Sequence, residues 1–401
     1  MNSLGLRIGV IGRGIAVEDS TGYICSQNEI WLLDRLTSNG SKIIYGPIIV
    51  KKGDECAEHF KKIYKARLNN GPIKVHGFYG EFQKKQNIIR KIIRYFIWFL
   101  RCIRFVSKVD ILLIYYPSTL GVMAIIASKI MRHRYILYKG SSWIKDRKHI
   151  ELFKSDIIRK LRLNFKKYIE TYVMKSSPLI LVRGPVVNGN NCKYIRGNTP
   201  FLASDIYERI DTCLGKKIVI VSVCHILPNK RINDIIKAIA VVSKYNSNVI
   251  FKHIGGGYKK DIDELRALAD TLGVSDKVCF LGPVKDKKKL LCEFRNSDIF
   301  ILASYSEGFP RVIIEAMSQS LPVIASKTEG VEDRFNNYSD ILMFEAGNHK
   351  ELSDAIKRVI SNQELRQRII INGRKQAEIE FNLPMPEDTI MQAINTIISE
   401  R

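Results

Sequence analysis

Acidic residues are scarce in the first half of this chain. Residues 1–200 hold 36 Lys and Arg against 13 Asp and Glu, a formal +23, whereas residues 201–401 hold 28 against 27. Nearly all of the +24 excess sits on one half. A basic half beside a neutral half suits nucleic acid, an anionic membrane surface or a phosphorylated substrate, and composition does not choose among them. Long hydrophobic runs are also missing. The longest uncharged stretch, Ile111 to Ser128, is cut by Pro117-Ser118-Thr119 into two pieces too short to span a bilayer, so no transmembrane helix is expected. The N-terminus enters a strand-like run, Leu6 to Ile11, interrupted by Arg7 and without the apolar core of a signal peptide. Paired cysteines are absent as well. Cys25, Cys56, Cys102, Cys192, Cys213, Cys224, Cys279 and Cys292 are scattered without a C-x-x-C, which reads as reduced, mostly buried thiols in a cytosolic protein.

What is present is a chain of 401 residues with 46% apolar content, enough for two ordinary cores. Apolar runs of strand length alternate with helical-period segments, the pattern of parallel sheets flanked by helices. Strands are expected at Leu6 to Ile11, Lys42 to Tyr45, Ile73 to Phe78, Asp110 to Tyr115, Tyr135 to Tyr138 and Leu179 to Val182. The second half offers Ile218 to Val223, Val249 to Ile254, Val278 to Leu281, Asp298 to Ala303, Val323 to Ala325 and Ile341 to Met343. Helices are expected notably at Gln27 to Ser38, Ile232 to Tyr245, Lys260 to Leu272 and Lys350 to Ile360. The fold class is therefore α/β, with two doubly wound domains in series and a polar boundary from Gly184 to Ser204. Ligands in such sheets bind beyond the carboxyl ends of the strands, which makes the cleft between the domains the default site.

The most informative stretch is Ser306-Glu307-Gly308-Phe309-Pro310-Arg311-Val312-Ile313-Ile314-Glu315-Ala316-Met317, directly after the strand at Asp298 to Ala303. Pro310 is preset for a first helical turn and Gly308 lets the backbone approach a ligand. Glu307 then lies just before a helix N-terminus, where free N-H groups attract anions, and Glu315 about a turn and a half inside it. This segment resembles the E-x7-E motif of the retaining glycosyltransferases with the GT-B fold, the family of group 1 transferases. The resemblance covers about Lys216 to Glu345, and the first domain through its architecture. It implies two Rossmann-like domains facing across a cleft: residues 1–197 toward acceptor and membrane, 198–382 holding the nucleotide sugar, and a helix at 383–401 crossing back to the first domain.

By that resemblance Glu315 accepts hydrogen bonds from the donor ribose, Glu307 contacts the donor sugar, and Gly308, Phe309, Pro310 and Arg311 line the sugar and phosphate path. All but Pro310 can offer a backbone N-H. The family usually grips the diphosphate with an Arg followed five residues later by a Lys. Here Lys230 matches, His225 stands at the Arg position, and Arg231 is an alternative phosphate partner. Gly255-Gly256-Gly257 ends a strand and is either a plain turn or a ligand-contacting loop. Lys327-Thr328-Glu329-Gly330-Val331-Glu332 resembles the glycine-acid turn beside the donor. In the first domain, Gly9-Val10-Ile11-Gly12-Arg13-Gly14 has the spacing G-x-x-G-x-G, which is not the dinucleotide fingerprint. A glycine loop after the first strand, through Gly12 and on to Thr21-Gly22 before the first helix, is what the family shows near its acceptor cleft. In Tyr138-Lys139-Gly140 the lysine replaces a histidine that the family commonly places close to the donor sugar. Asp261-Ile262-Asp263 opens a helix, where acidic residues are favoured, and is not read as a metal site. No metal and no resident cofactor are expected; the nucleotide-diphosphate sugar, of UDP or GDP type, is a substrate.

Lys84 to Lys108 carries eight basic residues and no acidic one. At about 100° per residue Arg90, Arg94, Arg101, Arg104 and Lys108 fall within about 40° of one line, and the rest is largely Ile, Phe, Trp and Leu. Such a helix suits a membrane interface, with apolar side chains inserted and arginines level with lipid phosphates; a core helix with one solvent stripe is the alternative. A second basic stretch, Lys145 to Lys167, adds to the field. The expectation is a retaining glycosyltransferase of polysaccharide or glycolipid biosynthesis, peripheral on the cytoplasmic face of the cell membrane, with a lipid-linked or glycan acceptor and no nucleic acid partner. A nucleotide-sugar epimerase of the same fold, or a non-catalytic membrane-binding or nucleic-acid-binding relative, is the rival.

Overall fold

The computed structural model describes residues 5–19, 22–25, 27–37, 40–51, 66–68, 72–79, 88–140, 157–182, 191–197 and 199–399. Thr21, Cys56, residues 84–87 and 145–156 of the two basic stretches, and residues 184–190 and 198 of the polar boundary lie outside them.

Among the described residues the first domain is a ten-stranded sheet: β1 (Arg7–Asp19), β2 (Gly22–Cys25), β3 (Lys42–Lys51), β4 (Ala66–Arg67), β5 (Ile73–Val75), β6 (Phe78–Tyr79), β7 (Ile111–Tyr116), β8 (Tyr135–Lys139), β9 (Ile180–Val182) and β10 (Cys192–Tyr194). Its spine runs β10-β9-β8-β7-β1-β3 with parallel pairing throughout. All six residues of β7 are buried, as expected of a central strand covered on both faces. Helices α1 (Gln27–Thr37), α2 (Ile88–Val106), α3 (Thr119–Ile130) and α4 (Ile157–Ser176) provide the cover. Trp98, Cys102 and Phe105 of α2, Ala124 of α3, and Val173 and Met174 of α4 share one buried cluster. The opposite face is closed by Leu32, Leu33 and Leu36 of α1 together with Ile390, Met391 and Ile394 of the C-terminal helix.

The second domain is a six-stranded parallel sheet in the order β13-β12-β11-β14-β15-β16. The strands are β11 (Ile218–Val223), β12 (Val249–Ile254), β13 (Val278–Gly282), β14 (Ile299–Leu302), β15 (Val323–Ser326) and β16 (Leu342–Phe344). Around it lie α5 (Ile232–Tyr245), α6 (Lys259–Thr271), α7 (Lys287–Arg295), α8 (Arg311–Ser318), α9 (Glu329–Glu332), α10 (His349–Ser361) and α11 (Gln363–Asn382). The last helix, α12 (Pro386–Ser399), leaves this domain and returns to the first. Two fully buried isoleucines on it, each contributing about 1.5–3 kcal/mol, make α12 part of the first domain's core. Arg134 fixes its end by donating from Nη1 to the Ile397 carbonyl at 3.0 Å.

Four expectations need correction. The first strand does not stop at a glycine loop. It continues to Asp19 through a register shift between Ile11 and Ile15, and Gly12 and Gly14, at φ +85° and +76°, form that irregularity. Gly22 is consequently no helix-leading turn but the start of β2, paired with Asp19 in an antiparallel hairpin. The polar boundary also contains a strand, β10, which extends the parallel sheet beside β9. Finally, not all thiols are sheltered: Cys279 and Cys292 are exposed, and no disulfide forms among the described cysteines.

Candidate active site

Loops at the carboxyl ends of β11, β12, β14 and β15 converge on one place, as the parallel order dictates. The first, after β11, ends in a short helical turn at Pro228–Lys230, and Arg231 follows with φ +51°. It is fastened to the loop after β12 by two backbone bonds, Cys224 N to the Ile254 carbonyl at 3.0 Å and Ile226 N to the Gly256 carbonyl at 2.7 Å. Gly255, at φ +151°, leaves no room for a side chain, since a Cβ would stand 1.8 Å from the Cys224 carbonyl oxygen. Gly256 sits against the His225 ring. Asn229 then accepts from Tyr305 N at 2.8 Å, joining this loop to the one after β14.

That junction brings Lys230 and Glu307 together. Lys230 Nζ donates to Glu307 Oε1 at 2.6 Å, and Ser304 Oγ donates to the same oxygen. Arg231 points elsewhere. Its guanidinium binds both carboxylate oxygens of Asp234, at 2.7 and 2.8 Å, and stacks over Tyr305, so the alternative phosphate partner is already engaged. From β15, the turn at Lys327 to Glu332 forms α9 beside the same loop: Gly330 N donates to the Glu307 carbonyl at 3.1 Å.

Pro310 occupies the cap position before α8, rather than its first turn. Arg311 N donates to the Phe309 carbonyl at 2.9 Å, which removes one of the N-H groups expected along the phosphate path. Glu315 lies five residues into the segment from Arg311 and is only 9% exposed. Burial raises its pKa above the ordinary carboxyl value, opposed by the hydrogen bond from Thr199 and the charge of Arg311. The bond from Thr199 Oγ1 is 2.7 Å long. Thr199 belongs to the stretch between the domains, as does Gly197, whose N-H donates to Glu380 at 2.6 Å. A Cβ at Gly197 would come within 2.3 Å of the Phe309 ring. On its other flank Phe309 meets Arg334, 4.6 Å from the ring centroid and ion-paired with Glu380.

Thr199, Ser304, Arg334 and Glu380 escaped sequence reasoning. Thr199 and Glu380 lie 116 and 46 residues from Glu315 and Arg334, their respective partners, so only the fold joins them. In the first domain Lys139 is buried, with its amine 3.2 Å from Glu170 of α4. The cation is thus held in an ion pair within its own domain. Gly12 packs against the Tyr115 carbonyl and Ser118, and Gly22 stays in its hairpin. Asp261 and Asp263 fall in the first turns of α6, where Asp263 pairs with Arg266 at 3.7 Å. The gathered residues can therefore do two things: present an ammonium to an anion, and present buried or half-buried carboxylates to hydroxyl groups.

Residues 208–376 match the family model "Glycosyl transferases group 1". The capsular polysaccharide biosynthesis glycosyltransferase CapM of Staphylococcus aureus is 27% identical over 194 residues, 48% of this chain and 50% of CapM. The N,N'-diacetylbacillosaminyl-diphospho-undecaprenol alpha-1,3-N-acetylgalactosaminyltransferase of Campylobacter jejuni is 29% identical over 164 residues, 41% of each chain. The chain thus spans about half the length of the curated relatives it matches. Among solved structures, HepE of Anabaena in complex with UDP and glucose superposes with a TM-score of 0.59 at 16% identity, covering 99% of this chain and 100% of HepE. Residues 208–376 thus resemble the group 1 glycosyl transferases, and the two parallel-sheet domains have the GT-B fold.

Proposed function

We propose that the protein transfers a sugar, with retention at the anomeric carbon, from a nucleotide-diphosphate sugar to a lipid-linked or growing glycan acceptor in polysaccharide or glycolipid biosynthesis. The observation that carries this reading is the Lys230–Glu307 pair at the carboxyl ends of the second sheet, with Glu307 on the loop that leads into the helix holding the buried Glu315. In the reaction the bond from the anomeric carbon to the diphosphate breaks and a bond to the acceptor oxygen forms. The acceptor proton leaves with the nucleoside diphosphate. Lys230 stabilises the charge that grows on the diphosphate, with His225 of the same loop as a second donor; Glu307 orients the donor sugar. Glu315 takes the ribose hydroxyls, exchanging its bond from Thr199 for theirs. Gly308, Phe309 and the Gly255-Gly256 turn shape the path, and no metal or resident cofactor is required. The donor class is supported by the UDP and glucose that HepE holds, and the acceptor class by the polyprenyl diphosphate in the name of the Campylobacter relative.

Association with the cytoplasmic membrane face is part of the proposal, in a form that differs from the sequence reading. On α2 the side of Ile92 and Phe96, 64% and 61% exposed, faces solvent, whereas Trp98 is 6% exposed and donates from Nε1 to the Tyr79 carbonyl at 2.9 Å. Trp98 is core. Of the arginine stripe, Arg101 donates to the Gly77 carbonyl and Arg94 stacks on Tyr95 and Trp98, while Arg90, Arg104 and Lys108 are exposed. No described helix is long and apolar enough to cross a membrane. Helices in parallel sheets run opposite to their strands, so the apolar N-terminal part of α2 lies toward the cleft end of the domain. A lipid acceptor would meet the site there. Incubating the enzyme with radiolabelled UDP- and GDP-sugars and lipid-linked acceptors tests the proposal: label should pass to the organic-solvent extract with unchanged anomeric configuration. Label that remains on the nucleotide, or an inverted product, would refute it.

A further inference from the structure

The outer side of α2 is one edge of a wider surface. Helices α2, α3 and α4 cover the same face of the first sheet, because all three contribute to one buried cluster. Their outward sides are not polar. Ile126 and Ile130 of α3 are 44% and 64% exposed, and Phe165, Tyr168 and Tyr172 of α4 are 64%, 70% and 51% exposed. The three rings, at i, i+3 and i+7, form one stripe along α4. Lys129 of α3 links the two helices: its Nζ stands 4.2 Å over the Tyr172 ring and bonds to Ser176. Single exposed apolar residues need no explanation, but a row across three adjacent helices does.

Charge identifies what covers it. Residues 88–140 and 157–176 contain two acidic side chains, Asp110 and Glu170. Asp110 is bound to Arg7 at 2.7 Å, and Glu170 is buried against Lys139. Exposed cations fringe the apolar rows instead: Arg90, Arg104 and Lys108 on or just beyond α2, and Lys167 and Lys175 on α4. A bilayer of anionic lipid complements both features, since rings and aliphatic chains enter at headgroup depth while cations meet phosphates.

We infer that the whole helical layer of α2, α3 and α4, not α2 alone, is the contact with anionic lipid. This rests on the membrane reading above and extends it to α3 and α4. The layer contact fixes the orientation of the first domain: the sheet lies over the bilayer with α1 and α12 on the far side. A contact along a single helix would leave the domain free to roll about that helix.

The test is sedimentation of the full chain with vesicles of phosphatidylglycerol mixed with phosphatidylcholine, against phosphatidylcholine alone. The wild type should bind the former and poorly the latter. Phe165→Ser/Tyr168→Ser/Tyr172→Ser on α4 should weaken binding about tenfold or more, as should Ile92→Ser/Phe96→Ser on α2. Lys167→Glu/Lys175→Glu, which leaves the rings in place, should weaken it too, with the greatest effect at low salt. If both α4 variants bind as the wild type while the α2 variant does not, the layer inference is overturned and the single-helix reading stands. Failure of the wild type to bind phosphatidylglycerol vesicles would remove the membrane reading itself. A dimer that the α4 ring variant dissociates, with vesicle binding unchanged, would assign the stripe to a second copy of the chain and overturn the inference.

Discussion

Lys230 Nζ lies 2.6 Å from Glu307 Oε1, although 77 residues separate the two in sequence. Adjacent pairing of β11 and β14 brings their loops side by side, and the two side chains are 19% and 13% exposed. A pair so shielded is sensitive to the loss of either charge, and in the proposed reaction an incoming diphosphate would compete with Glu307 for the ammonium. Lys230→Ala should reduce turnover by about 10²–10³, more than it weakens donor affinity, because the diphosphate charge grows as the bond breaks. Comparison of kcat with a calorimetric donor Kd checks this. A raised KM with kcat intact would make Lys230 a ground-state binding residue.

Glu315→Gln separates stability from binding. Burial raises the Glu315 pKa, so the folded state holds that proton more tightly than the unfolded state. The sign follows from linkage: stability from this group is present below the unfolded carboxyl pKa, and is lost as pH rises through the higher folded value. At neutral pH the glutamine, which can still accept from Thr199, should leave the urea midpoint unchanged or higher. Nucleotide affinity should fall by about 1.5–3 kcal/mol with the loss of a charged acceptor. Unaltered affinity would remove Glu315 from the ribose site.

Gly255→Ala should be poorly tolerated. Its Cβ would stand 1.8 Å from the Cys224 carbonyl oxygen, at φ +151°. Gly273, at φ +67° with nothing within 4 Å, is the control. Gly273→Ala should cost only the backbone term, about 1 kcal/mol, while Gly255→Ala should cost clearly more and disturb the loop that carries Lys230. Equal shifts in thermal midpoint for the two variants would contradict the close approach.

His253 gives the second domain a dependence on pH. It is fully buried between the Phe251 and Phe280 rings, and burial lowers its pKa to about 4. The unfolded imidazole, near 6.5, takes a proton first as pH falls. Stability should therefore drop between about pH 6.5 and pH 4, by about 3 kcal/mol in all. Denaturant titration across that range, with His253→Phe flattening this part of the profile, is the check.

The second domain was legible in sequence because its signals are local. Strands β11 and β12 match their apolar runs, and the turn before α8 carries its own glycine and acidic residues within a dozen positions. The first domain was harder. Gly12 and Gly14 read as the end of a strand, yet the chain resumes pairing after them, because two positive-φ glycines make an irregularity as readily as a loop. Trp98 shows the limit of helical period. The pattern identified α2 and its arginine line, but which apolar residues face the sheet depends on contacts such as the bond from Trp98 to Tyr79, 19 residues earlier. Thr199 and Gly197 were invisible for the same reason. Their meaning lies in partners more than a hundred residues further along the chain, Glu315 and Phe309.

The central claim is that the second domain holds a nucleotide-diphosphate sugar through Lys230, Glu307 and Glu315. Calorimetric titration of the full chain with UDP- and GDP-sugars, in the presence of a chelator, tests it most directly. One donor should bind, with affinity reduced in Lys230→Ala and in Glu315→Gln. Absence of binding by every nucleotide sugar, or binding that the two substitutions leave unchanged, would contradict the account.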